Sequence, residues 1–273
     1  MTHLDLIRWG EKPKYPICIP TLKRPDAHIF QFLKDAGISN AYIYVDDTDP
    51  HLEEYKKHGQ IMVVGPSRNY VTKCYDIVEH QKSLGQEFIW KFDDDLTKLA
   101  TKDMNGKYID LDFNTFLATA EQFIDLEKDY YIKLQDGNIG LLLFGANNTY
   151  REHKLFYATS KRTIVAGGYG LNINLLHLKN INFDLNLPHG CGEDTDLVAN
   201  FFSQGCTGKS IKFLERNFDY KVPSNCWGDR ERRLQINKDV YHYLKKKYPD
   251  IIGWHPKGKN TVTNPKYKNE IPE

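Results

Sequence analysis

Apolar and polar positions fall into short, regular blocks over the first hundred residues. "YPICIPT", "NAYIYVDD", "QIMVVGP" and "EFIWKFDDD" are apolar runs of strand length. Between them, "RPDAHIFQFLKDAG", "PHLEEYKKHG" and "SRNYVTKCYDIVEHQKSLG" carry helical signals. Pro25 stands near the first turn of one, and Gly37 and Gly59 follow the last turns of two. Val71, Cys74 and Val78 share one face of the third. Strands separated by short helices predict βαβ units and an α/β fold with a mostly parallel central sheet flanked by helices. Beyond Asp95 the pattern loosens. "DLDFNTFLATAEQFIDLEK" reads as a helix, "NIGLLLFG" and "KRTIVAGGYGLNINLLHL" as strands with a glycine-rich bend, and "GEDTDLVANFFSQG" as a short helix. "KSIKFL" is a late strand and "INKDVYHYLKKKYPD" a last helix. "WHPKGKNTVTNPKYKNEIPE" reads as a polar, lysine-rich tail. With no repeat and no linker, residues 1–273 are expected to be one domain: a nucleotide-binding half over about 15–110, a more irregular half over about 111–256, and a tail over 257–273.

Composition narrows the class. A chain of 273 residues buries a full core, and a formal net charge of +1 excludes a uniformly basic protein. Tyr 17, Phe 14 and Trp 4 give a high aromatic share, suited to cores and to platforms for rings. The five cysteines form no C-x-x-C pair, so neither a zinc ribbon nor a disulfide framework is expected. A reducing, cytoplasmic setting fits this usage. The amino-terminal stretch lacks a signal-peptide pattern, and no apolar run approaches the ~18 residues of a membrane span.

In open α/β sheets, ligands bind outside the carboxyl ends of the strands. Here those ends carry Pro20-Thr21 followed by Arg24, Asp46-Asp47, Arg68-Asn69, and Asp93-Asp94-Asp95. Neither G-x-G-x-x-G nor a P-loop is present. Phosphate would instead be neutralised by arginine and a divalent cation. Adjacent carboxylates repel, by roughly 4 kcal/mol at 4 Å and an effective dielectric of 20, so a triplet tends to protonate or to recruit a cation. Asp93 and Asp95, on alternate positions, would face one side and hold Mg²⁺ or Mn²⁺ with diphosphate oxygens. A plain helix cap would account for one aspartate, not three.

The succession "PTLKRP", "VDD", "SRN" and "FIWKFDDDL" resembles the GT-A glycosyltransferases, and three further boxes extend the match: "AGGYG" at Ala166–Gly170, "GCGEDTDL" with Glu193 and Asp194, and His255 in "GWHP". The resemblance covers roughly residues 15 to 256. More narrowly, "IPTLKRP", "FDDDL" and "GCGEDTDL" are similar to boxes of the TET-associated and bacteriophage DNA glycosyltransferases, which add a sugar to hydroxymethylated pyrimidine. The resemblance implies a GT-A fold and sugar transfer from a nucleotide-sugar, UDP-linked by the same resemblance, to a hydroxyl acceptor such as 5-hydroxymethylcytosine in double-stranded DNA. It leaves arabinose and glucose open as the sugar. It also implies the roles that follow.

Asp93, Asp95 and His255 would hold the metal. Pro20, Thr21, Arg24, Asp46, Asp47, Arg68, Asp94, Gly167 and Gly168 would bind the donor. Asp194 would serve as base, with Glu193 binding the acceptor or exchanging roles with it. Each has an ordinary rival: acids favoured at a helix start, glycines in a tight turn, a structural histidine, surface ion pairs. From Asp229 onward, eleven basic and six acidic residues give a net charge of +5. Arg230, Arg233, Lys257 and Lys259 are therefore candidates for phosphate contacts, and Tyr169, Trp227 or Trp254 for stacking on a base. Three other functions remain open: a saccharide or protein acceptor, a metal-dependent phosphoesterase or nuclease, and a non-catalytic nucleic-acid-binding protein.

Overall fold

The computed structural model describes residues 2–66, 69–124, 139–145, 157–159, 162–163, 167–218, 230–255 and 259–263. Four strands, β1 (Ile17–Pro20), β2 (Tyr42–Asp46), β3 (Ile61–Gly65) and β4 (Phe88–Phe92), pair in parallel in the order β3-β2-β1-β4. Helices α1 (His28–Asp35), α2 (Leu52–Tyr55) and α3 (Tyr70–Ser83) connect them. A parallel sheet is covered on both faces, so its inner strands are continuous apolar runs. β1 and β4 accordingly bury every position. Because the four strands run the same way, Thr21, Asp46, Gly65 and Asp93 come to one edge.

The sheet continues past β4 with β10 (Gly168–Asn172), β7 (Ile139–Gly145), β11 (Thr207–Phe218), β5 (Leu96–Lys102) and β6 (Tyr108–Asp110), and β8 (Tyr157–Thr159) pairs with β11. β10 is antiparallel to β4, and β7 and β11 are parallel to each other. Strand alternation sorts the core onto two faces. Cys18, Tyr44, Ile89, Tyr169 and Leu171 belong to one cluster, with α3 and the helix α6 (Glu193–Ser203). Ile17, Ile19, Ile43, Val45, Phe88, Trp90 and Phe92 belong to the other, with α1 and α4 (Phe113–Glu121). Lys91 therefore points to the first face, among apolar side chains.

Local chemistry sets the helix starts beside the sheet edge. Asn69 caps α3, its side chain accepting from Thr72 N at 2.9 Å while Thr72 Oγ1 accepts from Asn69 N at 3.1 Å. Gly192 caps α6 at φ +87, and a Cβ there would lie 2.6 Å from Val240 Cγ1 on α7 (Arg230–Lys247). Only glycine fits both the backbone and the space.

Three expectations from the sequence change. After Asp95 come the strands β5 and β6, where no clear element was expected. Their signal is blurred because Lys102 is buried in an ion pair with Glu215 at 3.0 Å and breaks the apolar alternation. "INLLHL" is a helix, α5 (Ile173–Leu178), not a strand, since the Asn172 side chain caps it by accepting from Leu175 N at 3.0 Å. The expected tail contains a strand, β13 (Lys259–Thr263), which pairs with β12 (Ile252–His255) just before it and with β9 (Arg162–Thr163) in a second sheet. Ile252 and Val262 are buried there.

Candidate active site

The three aspartates leave β4 in different directions and meet different partners. Asp93 turns toward the α3 face. Lys91 Nζ donates to its Oδ1 at 2.6 Å and to Tyr70 Oη at 2.7 Å, and Tyr70 Oη donates to the same Oδ1. The Asp93 amide donates to Gly167 O at 2.5 Å, which ties the start of β10 to the triplet. Asp94 turns toward β1: Thr21 Oγ1 donates to its Oδ2 and Arg24 Nη1 to its Oδ1, each at 2.7 Å. Asp95 keeps a buried Oδ1 with no hydrogen-bond partner.

Titration follows those partners. Burial opposes ionisation of Asp93, but the Lys91 ammonium and the hydrogen bonds outweigh it, and its pKa lies below the ordinary value. Burial raises Asp94 despite Arg24 and Thr21. Burial, then the Asp93 and Asp94 charges, push Asp95 up to about 7. Burial alone would lower Lys91, yet Asp93 and its neighbours hold it well above the usual lysine range.

The acid pair approaches from the other side. Glu193 and Asp194 open α6, and Asp194 Oδ1 accepts from Thr195 N at 2.6 Å. Both carboxyls titrate above their ordinary values. Burial is the first cause for each; the Asp194 and Asp93 charges add to it for Glu193, and the Asp93 charge for Asp194, while Lys91 pulls both down. Lys91 thus acts electrostatically on Asp93 of β4 and on both acids of α6. The turn that leads into α6 also touches the start of α3, since a Cβ on Gly190 would lie 2.3 Å from Asn69 Cβ.

Around this centre, the rim is partly as expected. Pro20 ends β1, and Lys73 Nζ on α3 donates to Thr21 O at 2.7 Å. Asp46 Oδ1 accepts from Thr48 N at 3.0 Å and Thr48 Oγ1 at 2.9 Å, closing its own turn, with Asp47 exposed beside it. Next to it, between β2, β3 and α3, lies a cavity of about 360 Å³ lined by Val45, Gly65, Thr72, Lys73, Asp76 and His80. Tyr70, Lys73 and Lys91 were missed in the sequence. The available signal was Lys91, a lysine inside the apolar run "FIWKF" immediately before three acids.

Two candidates, Tyr169 and Gly168, are displaced by packing. Tyr169 is 1 % exposed, with its ring 5.3 Å from Lys91 Nζ, so it is no platform for a base. Gly168 does not border open space: a Cβ would lie 2.5 Å from Phe92 Cδ1, and packing explains the glycine. Gly167 adopts φ +70 at the turn into β10. Trp254 is half-buried, its ring centroid 5.2 Å from that of Tyr241 on α7. Arg233 is half-buried on α7, its Nε buried with no hydrogen-bond partner. Arg68, Trp227 and Lys257 lie outside the described residues, as do the side chains of Arg230, His255 and Lys259, whose backbones belong to α7, β12 and β13.

Among the described residues no three His, Cys, Asp or Glu side chains gather into a metal cage. The partnerless Asp95 oxygen, beside two further carboxylates, nevertheless fits a cation that brings its other oxygens from a ligand. Among the described residues no helix is long and apolar enough to cross a membrane.

A family model described as TET-Associated Glycosyltransferase matches residues 15–205. No curated protein gives a significant match. Among solved structures, a crystal structure of GalNAc-T7 with UDP, GalNAc and Mn²⁺ is similar at 10 % identity and a TM-score of 0.52, over 88 % of this chain and 49 % of that one. The chain thus spans about half of that protein, and the likeness shows a shared GT-A type fold. A UDP-glucose pyrophosphorylase complexed with UDP-glucose matches at 10 % identity and a TM-score of 0.40, over 85 % of this chain and 100 % of that one. A putative nucleotide-diphospho-sugar transferase from Desulfovibrio desulfuricans G20 matches at 8 % identity and a TM-score of 0.43, over 86 % and 98 % of the two chains.

Proposed function

The chain belongs to the TET-associated glycosyltransferases, and we propose that it transfers a sugar from a UDP-linked donor to the hydroxyl of 5-hydroxymethylcytosine in double-stranded DNA, with Mn²⁺ or Mg²⁺ at Asp95. One observation carries the reading. Asp93 at the end of β4 and the acid pair at the start of α6 feel the same buried ammonium, Lys91, which links the donor-side triplet to the acceptor-side acids.

The acceptor oxygen attacks the anomeric carbon while the bond from that carbon to the diphosphate oxygen breaks. The acceptor's proton passes to a carboxylate of the α6 pair, Asp194 in this reading, with Glu193 beside it to bind the acceptor. Burial places both acids above the usual carboxylate range, which suits proton acceptance near neutral pH. The rate therefore rises with pH as the base ionises. When bound, the divalent ion supplies Lewis-acid stabilisation of the departing diphosphate, with Asp95 as its protein ligand and His255 as a candidate second. Arg24 and Lys73 orient the phosphates, and the cavity beside Asp46 takes the nucleoside. The basic residues after Asp229, Arg230, Arg233, Lys257 and Lys259 among them, are read as contacts to the DNA backbone. The whole of 1–273 is read as one catalytic domain acting in the cytoplasm.

The test uses UDP-sugars, Mn²⁺ and duplex DNA carrying 5-hydroxymethylcytosine, with nucleosides read by mass spectrometry. The modified base should gain one pentose or hexose, and Asp194→Asn should lower the rate by about 100-fold or more. Transfer only to a glycan or protein, or phosphate-ester cleavage without a sugar donor, overturns the reading.

A further inference from the structure

Lys91 is 3 % exposed, on a face otherwise lined by Cys74, Tyr169 and their apolar neighbours. Its Nζ lies 4.9 Å from the ring centroid of Tyr70 and 5.3 Å from that of Tyr169. A buried lysine–aspartate pair adds little stability over an apolar pair of the same volume. Stability therefore does not explain why an ammonium stands here.

Its effect on the triplet offers an explanation. Asp93 is held by an ammonium and a phenol, and Asp94 by a guanidinium and a hydroxyl. Of the three carboxylates at the end of β4, Asp95 keeps a buried oxygen without a partner, while Asp93 spends its Oδ1 on Lys91 and Tyr70. A single carboxylate beside a fixed cation is a poor site for a hard divalent ion, which needs about six oxygens. A diphosphate brings both the missing oxygens and the missing negative charge.

Resting on the metal-dependent reading above, we propose that Lys91 is a positioning residue that acts as a built-in counter-cation. It occupies Asp93, so the aspartate cluster does not hold a divalent ion alone and the ion binds only together with the donor's diphosphate. Metal and nucleotide are then strongly coupled ligands, and by linkage each raises the affinity of the other by the same factor.

Calorimetry or Mn²⁺ paramagnetic resonance tests this without turnover. For the native protein, UDP should tighten Mn²⁺ binding by about 100-fold or more, and Mn²⁺ should tighten UDP binding equally. Lys91→Met frees the Asp93 carboxylate, so Mn²⁺ alone should bind about 10-fold tighter or more, on the scale of an outer-shell change, and the gain from UDP should shrink. Lys91→Arg keeps the charge and should keep the coupling. Equal Mn²⁺ affinity with and without UDP in the native protein overturns the proposal, and this measurement stands even where Lys91→Met does not fold. A Lys91→Met protein with native Mn²⁺ affinity also overturns it. Absence of Mn²⁺ binding even with UDP overturns something different, the metal-dependent reading itself, and the proposal with it.

Discussion

At the scale of single residues, three consecutive aspartates with the same intrinsic chemistry behave as three different groups. Asp93 is kept ionised by Lys91, Asp94 is bound to Arg24 and Thr21, and Asp95 is left with a partnerless oxygen. Asp95 lends itself to a linkage experiment. Its folded pKa of about 7 lies above the unfolded value of 3.8, so the folded state binds the extra proton between those limits. Its contribution therefore favours folding at low pH and is lost as pH rises through about 7. With chelator present, Asp95→Asn should stabilise the protein at pH 8 by on the order of 1 kcal/mol and have little effect at pH 4. Urea melts at the two pH values check this, and a variant less stable than native at pH 8 contradicts it. The presence of an acidic cluster was legible in "FDDDL". Which buried oxygen stays unpaired was not, because the partners Tyr70, Thr21 and Arg24 come from separate segments and only Lys91 lies on the same strand.

At the scale of elements, the acid pair is held by the helix that follows it in the chain. Lys247, near the end of α7, donates to Asp184 Oδ2 at 2.7 Å and to Asp196 Oδ1 at 3.0 Å. Tyr243 donates to Asp184 and Tyr248 to Asp196. Asp196 is fully buried in the first turn of α6, two residues after Asp194. The second aspartate of "EDTD" thus clamps the helix. Lys247→Met should cost roughly 1–3 kcal/mol, less than a fully buried pair because Lys247 is partly exposed. It should also lower kcat more than donor affinity, since α6 carries the base and not the nucleotide rim. A denaturant melt and a kcat-against-KM comparison check both. Equal loss in the two kinetic terms argues against the clamp. A second variant probes the backbone: Gly192→Ala combines φ +87 with a 2.6 Å approach to Val240 Cγ1 and should destabilise by about 1–3 kcal/mol. Thermal unfolding reads it, and a native-like melting point contradicts the packing argument.

At the scale of the whole molecule, residues 252–255 and 259–263 are part of the folded body. β12 and β13 pack against α6 and α7, with Ile252 and Val262 buried. Ending the chain before Ile252 should lower the melting temperature by on the order of 5–10 °C and loosen α6. A solvated tail would leave melting unchanged, so differential scanning calorimetry separates the two. The sequence by itself determined the strand and helix order of the parallel half, the carboxyl edge where ligands gather, and the acidic boxes at its rim. It could do so because period-2 and period-3.6 patterns and turn residues are local signals. Tertiary structure alone decided what Lys91 meets across the sheet face, which buried aspartate oxygen remains without a partner, that Tyr169 is buried, and that the second sheet exists. Those outcomes depend on contacts between residues 20 to more than 100 positions apart, and burial and charge pairing act through space rather than along the chain.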